Sequence, residues 1–379
     1  MRILFVARAP FISGAERSMQ LTILALQNCG AKISMLCPQS SPLVDWGFHH
    51  GIDVVTCRLF STKVSSAHLT RLFARVVARV IGRRPIDIVH CNQVWSNLWA
   101  VNLAKALGVP AICHMRDYVS ADGLRWLLSD RPQGIVCVSR HLHAYIEAHG
   151  FTQGIPTITL GGPSTISSTN ANHMRIALRE KFRKDLGIAT HCRVVLYAGQ
   201  FINQKGLHVL CEAAEQVNDR NIYIILVGSA PSNHQLPKEH YTERLIQLVQ
   251  RNRIKLIGRV TDMTPYYSSA DLVVVPSLEE PLARVVLEAA SFGVPAIIAD
   301  VDGLSESFTP HITGWPVRAG DSQALAQVLE QTYALALAEY GERARVFVQR
   351  NYEAKWYAQR LLEFYACVLS QWRSGKLRH

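Results

Sequence analysis

Two carboxylates, Glu280 and Glu288, stand eight residues apart in the stretch Pro-Ser-Leu-Glu-Glu-Pro-Leu-Ala-Arg-Val-Val-Leu-Glu-Ala-Ala-Ser-Phe-Gly-Val-Pro that ends at Pro295. The apolar run 272–275 before it reads as a buried strand. A Pro-punctuated loop follows, then a short amphipathic run that Gly293 and Pro295 stop. The spacing places Glu280 ahead of a helix and Glu288 in its second turn. The helix N-terminus between them offers free N–H groups and the positive end of a dipole, which suit a phosphate. One element therefore offers carboxylates for hydroxyl groups on either side of an anion seat. A sugar nucleotide needs both.

A second cluster follows the strand expected at 193–198, in Ala-Gly-Gln-Phe-Ile-Asn-Gln-Lys-Gly ending at Gly206. Lys205 falls at a helix start, and a cation there can neutralise a departing diphosphate. A solvated surface lysine is the plainer alternative. The flanking Gly199 and Gly206, on a loop opening to the same sheet edge as Glu280, favour the site reading. In the first half, Gly14 precedes a helix and permits close backbone approach of a ligand. His90, Asn92, Gln93, His114, Arg116 and Asp117 fall at strand ends, where loops carry function.

The elements that must position these groups alternate. Strands are expected at 3–7, 32–37, 53–57, 87–91, 110–115, 135–139 and 157–160, then at 193–198, 222–227, 254–257, 272–275 and 296–299, with helices between most of them. This predicts an α/β chain of two doubly wound Rossmann-like domains with parallel sheets, whose ligands sit beyond the carboxyl ends of the strands. The Gly-, Ser-, Thr- and Asn-rich stretch 160–172 is the linker. The expected boundaries are 1–165, 173–345 and a helical segment 346–379, rich in aromatics, that packs back on the first domain.

The chain of 379 residues carries a net charge of +11, which asks for an anionic partner without choosing one. No apolar run approaches the ~18–20 residues of a membrane span. The first residues read as a strand rather than a signal peptide. Nine cysteines without a Cys-x-x-Cys pair read as buried hydrophobes in a reducing compartment. Fifteen histidines supply no metal-spaced motif. Gly-x-G-x-x-G is absent after the first strand, so a dehydrogenase loses its support. The basic residues show no nucleic-acid motif.

From Leu69 to Arg84 a helical period runs through Leu69, Leu72, Phe73, Val76, Val77 and Val80. Arg71, Arg75, Arg79 and Arg83 form a stripe with no acid between Lys63 and Arg84. It reads either as a sheet-covering helix with a solvated arginine face or as a face for anionic lipid or an acidic acceptor.

These motifs resemble the large family of retaining GT-B glycosyltransferases with a Glu-x7-Glu motif (glycosyltransferase family 4, glycosyl transferases group 1). The ordered set is Gly14-Ala-Glu16, Gly199 to Lys205-Gly206, Gly258-Arg-Val260, Tyr-x-x-Ala-Asp271, Glu280 with Glu288, Ala-x-x-x-Gly-x-Pro295, and Thr313-Gly-Trp315. It covers nearly the whole chain.

The resemblance implies two domains facing across a cleft and transfer of a hexose-type sugar from a nucleotide-diphospho-sugar, UDP- or GDP-linked, to a glycan or lipid-linked acceptor. The transfer would retain anomeric configuration, without a metal or other cofactor. Glu280 would meet the donor sugar and Glu288 the ribose. Lys205 would bind the diphosphate, with Leu282, Ala283 and Arg284 beside it. Arg259 and Val260 would meet the base, Gly14 would lie over the phosphates, and His114 would lie by the sugar. Glu16, Asn92, Arg116 and Asp117 would stand on the acceptor side.

The implied place is the cytoplasm, at the inner membrane face if the arginine stripe binds lipid. Gln200 departs from the family's arginine, and Arg284 would in part replace it. Leu282-Ala283 replaces Phe-Gly. Asp300-Val-Asp302 matches a metal motif of the other main glycosyltransferase fold, but that fold has a single domain with one sheet. The alternatives are a non-catalytic sugar-nucleotide or glycan-binding protein of the same fold, supported by Gln200, and an epimerase or phosphorylase of related architecture.

Overall fold

The computed structural model describes residues 1–57, 67–82, 84–164, 168–218, 221–230, 241–250, 254–333 and 335–377. Lys63, Arg83 and residues 165–167 of the expected linker, and the side chain of Leu69, lie outside the described residues.

The chain divides into two units, Met1–Pro163 with Ala354–His379, and Ser164–Glu353. The first alternates β1 (Arg2–Val6), α1 (Gly14–Asn28), β2 (Lys32–Cys37), α2 (Leu43–His49), β3 (Asp53–Thr56), α3 (Ala67–Ile81), β4 (Ile88–Cys91), α4 (Asn97–Leu107), β5 (Ala111–Met115), α5 (Ala121–Leu127), β6 (Gly134–Cys137), α6 (Arg140–Ala148) and β7 (Thr157–Thr159). Its strands pair in parallel in the order β3-β2-β1-β4-β5-β6-β7. Strands covered on both faces read as near-continuous apolar runs. In β1, Ile3 and Phe5 join α1 residues Met19, Ile23 and Leu26 on one face. Leu4 and Val6 meet Val77, Trp99 and Leu103 on the other.

The second unit holds α7 (Ser168–Asp185), β8 (Arg193–Ala198), α8 (Leu207–Gln216), β9 (Ile222–Val227), α9 (Tyr241–Gln250), β10 (Ile254–Ile257), α10 (Thr264–Ser269), β11 (Leu272–Val275), α11 (Arg284–Ser291), β12 (Ala296–Ala299), β13 (Gly314–Val317), α12 (Ser322–Tyr333) and α13 (Leu337–Asn351). Its strand order is β10-β9-β8-β11-β12-β13, again parallel. The edge strand β13 was not expected from the sequence. It is four residues long and contains Pro316, which cannot donate to a ladder and is tolerated at an edge.

The expected terminal segment from 346 divides. α13 stays in the second unit because Ala344 and Val348 pack on Leu287 and Ala290 of α11. A Cβ on Gly341 would stand 1.9 Å from the Gly293 carbonyl oxygen, so glycine permits that approach. α14 (Ala354–Arg373) belongs to the first unit. There Tyr357, Leu361, Tyr365 and Val368 join the core of β1 and α1. Trp356 of the same helix is exposed.

α7 ties itself to its sheet by arginines at four-residue steps. Arg175 donates to the carbonyls of Gly293 and Ala270, both at 3.0 Å. Arg179 pairs with Asp271, and Arg183 Nη2 lies 2.5 Å from Asp271 Oδ2, which also accepts from Val194 N at 2.8 Å. Burial alone would raise the Asp271 carboxyl, but Arg179, Arg183 and the Val194 amide hold it below the usual carboxylate range.

α3 differs from its sequence reading. Thr70, Ala74, Val77, Ala78 and Ile81 face the core, while Leu72, Val76 and Val80 are 54%, 44% and 61% exposed. The period therefore held two apolar rows, and only one covers the sheet. Two arginines of the segment also find acids distant in sequence. Arg71 lies 3.9 Å from Asp130, and Arg84 Nε lies 2.5 Å from Asp53.

Candidate functional site

The sheet order of the second unit reverses at β8, which lies between β9 and β11. Ligands of such sheets bind at the carboxyl ends of the strands flanking that point. The loop after β8 carries Gly199, Gln200 and Lys205, and the loop after β11 carries Ser277 and Glu280. The two loops are locked together. Leu278 N donates to the Gln204 carbonyl at 2.8 Å. Gly206 caps α8 with φ +63°, and a Cβ there would stand 1.8 Å from the Pro276 carbonyl oxygen. Only glycine suits both the left-handed turn and that crossing.

The lock brings Lys205 and Glu280 together, with Nζ 2.5 Å from Oε2. Ser277 Oγ donates to the same oxygen at 3.3 Å. The Glu280 amide donates to Asp302 Oδ2 at 3.4 Å. Asp302 holds a left-handed φ of +43°, uncommon for a residue with a side chain. The Glu280 side chain is 11% exposed and that of Lys205 is 29% exposed. An ammonium has three donors, so Lys205 can meet a further anion while keeping Glu280.

Eight residues separate the end of β11 from α11, which begins at Arg284. Its N-cap, Ala283, has no side chain that bonds the first-turn amides. Arg284 Nη2 donates to Glu288 Oε1 at 2.8 Å, and the Tyr267 hydroxyl donates to Glu288 Oε2 at 2.7 Å. Arg284 Nε and Nη1 are buried without a hydrogen-bond partner among the described residues. Buried donors are rarely left unmet in a stable fold. The uncapped helix start and these two donors are electropositive groups that can receive an anion, whereas Glu288 is held by residues of its own unit. A carboxylate has about four lone-pair positions, so Glu288 still has capacity for hydroxyl groups.

The remaining expected residues of this unit are placed more simply. Leu282 is half-buried and Ala283 buried, at the entry to α11. Gln200 is half-buried, and its carbonyl accepts from the Tyr197 hydroxyl at 3.0 Å. Burial raises that phenol above its ordinary range. Arg259 is exposed and Val260 half-buried on the loop after β10, the edge strand, two strands from β8. Tyr267, Ser277 and Asp302 had not been assigned to the site. Tyr267 stood in the Tyr-x-x-Ala-Asp271 motif and Asp302 in the Asp300-Val-Asp302 match to a metal motif, and their contacts to Glu288 and to the Glu280 amide arise from the tertiary fold. Among the described residues, no three His, Cys, Asp or Glu stand close enough to hold a metal ion.

In the first unit, Gly14 opens α1. It is exposed, and a Cβ there would meet nothing within 4 Å among the described residues, so these make no demand for glycine. Glu16 and Arg116, expected on the acceptor side, turn inward instead. Glu16 is fully buried, completes the capping box of α1 with Ser13, and accepts from Asn92 Nδ2 at 3.5 Å. Arg116 donates to the Asn92 carbonyl at 2.9 Å, Ser18 Oγ at 2.8 Å and His114 Nδ1 at 3.1 Å. A helix start that needs a cap and a guanidinium that needs acceptors explain both. Asn92 is buried too, and Asp117 is half-buried at the end of β5. His114 is buried on β5, and its Nε2 has no partner among the described residues.

Comparison with known proteins places this geometry. The family description "Glycosyl transferases group 1" matches residues 192–334, and "Glycosyl transferase 4-like domain" matches residues 13–154. An uncharacterized glycosyltransferase of Methanocaldococcus jannaschii is 30% identical over 258 residues, covering 62% of this chain and 63% of its own length. The D-inositol 3-phosphate glycosyltransferase of Corynebacterium aurimucosum is 30% identical over 165 residues, covering 41% of this chain and 38% of that one. The matched region thus spans less than two thirds of either relative. The crystal structure of Anabaena HepE in complex with UDP and glucose superposes with a TM-score of 0.83 over 97% of this chain and 99% of that one, at 21% identity. On the two matched halves and this common fold, the chain belongs to the group 1 glycosyl transferases, with a 4-like first half and a GT-B fold.

Proposed function

We propose that the protein is a glycosyltransferase that moves a hexose-type sugar from a nucleotide-diphospho-sugar to a glycan or lipid-linked acceptor. The observation that carries this reading is the group at the β8/β11 switch point. Lys205, the uncapped start of α11 and the spare donors of Arg284 supply three electropositive groups, and Glu280 and Glu288 supply acceptors for hydroxyls. Negative charge develops on the diphosphate as the sugar leaves, and fixed donors aimed at that charge lower the barrier. A lysine, a guanidinium and a helix end supply this without a metal, and we assign retention of configuration on the same family pattern. Glu280 is assigned to the sugar hydroxyls, Glu288 to the ribose, and the loop with Arg259 and Val260 to the base. Gly14, His114 and Asp117 belong to the first unit's contribution, and acceptors are assigned to that unit. HepE holds UDP and glucose, which supports a UDP-sugar as the first donor to try.

The test is nucleoside diphosphate release from a panel of UDP-, GDP- and ADP-sugars, after thermal shift has chosen the binders. Glu280→Ala is expected to lower release at least a hundredfold while keeping the melting temperature within a few degrees. Equal release by wild type and variant would remove Glu280 from the site. Tight binding with no transfer to any acceptor would favour the non-catalytic reading.

A second proposal concerns α3. Its exposed row Leu72, Val76 and Val80 lies beside the exposed Arg75 and Arg79. No helix among the described residues is long and apolar enough to cross a membrane. We assign this face to anionic lipid at the inner membrane surface, with apolar side chains entering the headgroup boundary and each arginine contributing about 1 kcal/mol. Vesicles containing anionic lipid should sediment the wild type. The triple variant Arg75→Glu, Val76→Ser, Arg79→Glu should stay in solution, and its co-sedimentation at wild-type level would reject the assignment.

A further inference from the structure

Two fully buried histidines of the first unit, His90 on β4 and His114 on β5, form a hydrogen-bonded series with Tyr365 of α14. Tyr365 Oη lies 2.6 Å from His90 Nδ1, and His90 Nε2 lies 3.2 Å from His114 Nδ1. Arg116 Nη2 lies 3.1 Å from the same His114 Nδ1.

The proton positions follow from the chemistry of the partners. A guanidinium can only donate, so His114 Nδ1 must be an acceptor. His90 Nε2, facing that acceptor, must then carry a proton. His90 Nδ1 is left as an acceptor, and the Tyr365 hydroxyl donates to it. A neutral imidazole has one proton, so His114 carries its own on Nε2. Burial first, and then the charge of Arg116, push both rings well below their ordinary range, His90 to about 3, so both are neutral at pH 7. His114 Nε2 is buried and has no partner among the described residues. A fold that fixes a proton on a buried atom and then leaves that atom unmet has built a donor for something outside the protein.

We propose that Tyr365, His90 and Arg116 are positioning residues that lock His114 as a neutral Nε2–H donor to a hydroxyl of the transferred sugar. The choice of hydroxyl as ligand rests on the glycosyltransferase reading above; the lock itself does not. Tyr365 comes from a helix more than two hundred residues downstream of either histidine, so α14 supplies the far end of the lock as well as part of the core.

Histidine-¹⁵N-labelled protein tests the lock directly, without substrate. Both rings are expected to show the neutral Nε2–H signature at pH 7. A His114 ring protonated on Nδ1, or charged, overturns the proposal. Its use in the reaction is read from three variants. Tyr365→Phe keeps the ring and its packing but removes the donor, and turnover should fall about fivefold, the scale of one neutral hydrogen bond. His114→Gln sets its amide nitrogen near the position of Nε2 and should retain more turnover than His114→Asn, whose nitrogen falls near Nδ1. Wild-type turnover in Tyr365→Phe, or equal loss in the two amide variants, also overturns it. A wild-type protein with the expected tautomers that binds no nucleotide sugar would instead refute the glycosyltransferase reading and leave the lock standing.

Discussion

Replacing Lys205 by alanine is expected to lower kcat/KM for sugar transfer by about two to three orders of magnitude, the usual loss when one fixed donor to developing negative charge is removed. The expectation rests on position. Lys205 closes a short turn after β8, and the left-handed Gly206 holds it against the loop after β11. Its ammonium is anchored on Glu280 at 2.5 Å and is only part-exposed, so little reorganisation is needed as the diphosphate departs. Lys205→Arg should recover part of the loss, because the charge remains on a larger, planar group. The measurement is steady-state nucleoside diphosphate release, with circular dichroism to show that the variant is folded. A Lys205→Ala enzyme within threefold of wild type would mean that Arg284 and the α11 amides suffice. Its partner then needs a different explanation, since a carboxylate as enclosed as Glu280 is costly to leave unpaired.

Asp271→Asn is expected to destabilise the second unit by about 3 kcal/mol at pH 7, because it leaves the buried Arg183 and the part-buried Arg179 without their anion. The pH dependence has a definite sign. The folded carboxyl lies below its unfolded value, so its contribution is complete above the unfolded value of about 3.9 and is lost as pH falls through the folded one. Wild type and variant should therefore differ most near neutrality and converge in strong acid. Urea unfolding at pH 7 and across the acid range measures both. Parallel curves with a constant gap would show that Asp271 acts by shape and hydrogen bonding alone.

Much of the site was legible because its groups lie at element ends that the sequence marks. The apolar run 272–275 and the Gly293–Pro295 stop place Glu280 before α11 and Glu288 inside it, and the structure has them there. Lys205 and Gly206 were legible as a turn into a helix. Two other readings rested on what surrounds a residue, and these changed. The resemblance implied an acceptor-side place for Glu16 and Arg116. Glu16 instead caps α1, and Arg116 donates to Asn92, Ser18 and His114. The α3 period could not say which of two adjacent apolar rows meets the sheet, since a helix face has no sign until something packs on it.

The sequence by itself determined the alternation of strands and helices, the parallel α/β class, and the loops that carry Lys205, Glu280 and Glu288, because hydrophobic period, proline and glycine are local signals. Only the tertiary structure decided which groups meet. The Lys205–Glu280 pair spans 75 residues, the Arg183–Asp271 pair 88, and the Tyr365–His90 bond 275. Such contacts follow from strand order and from which helix covers which face. Neither is written in any local pattern, because both are fixed by how the whole chain buries its apolar surface.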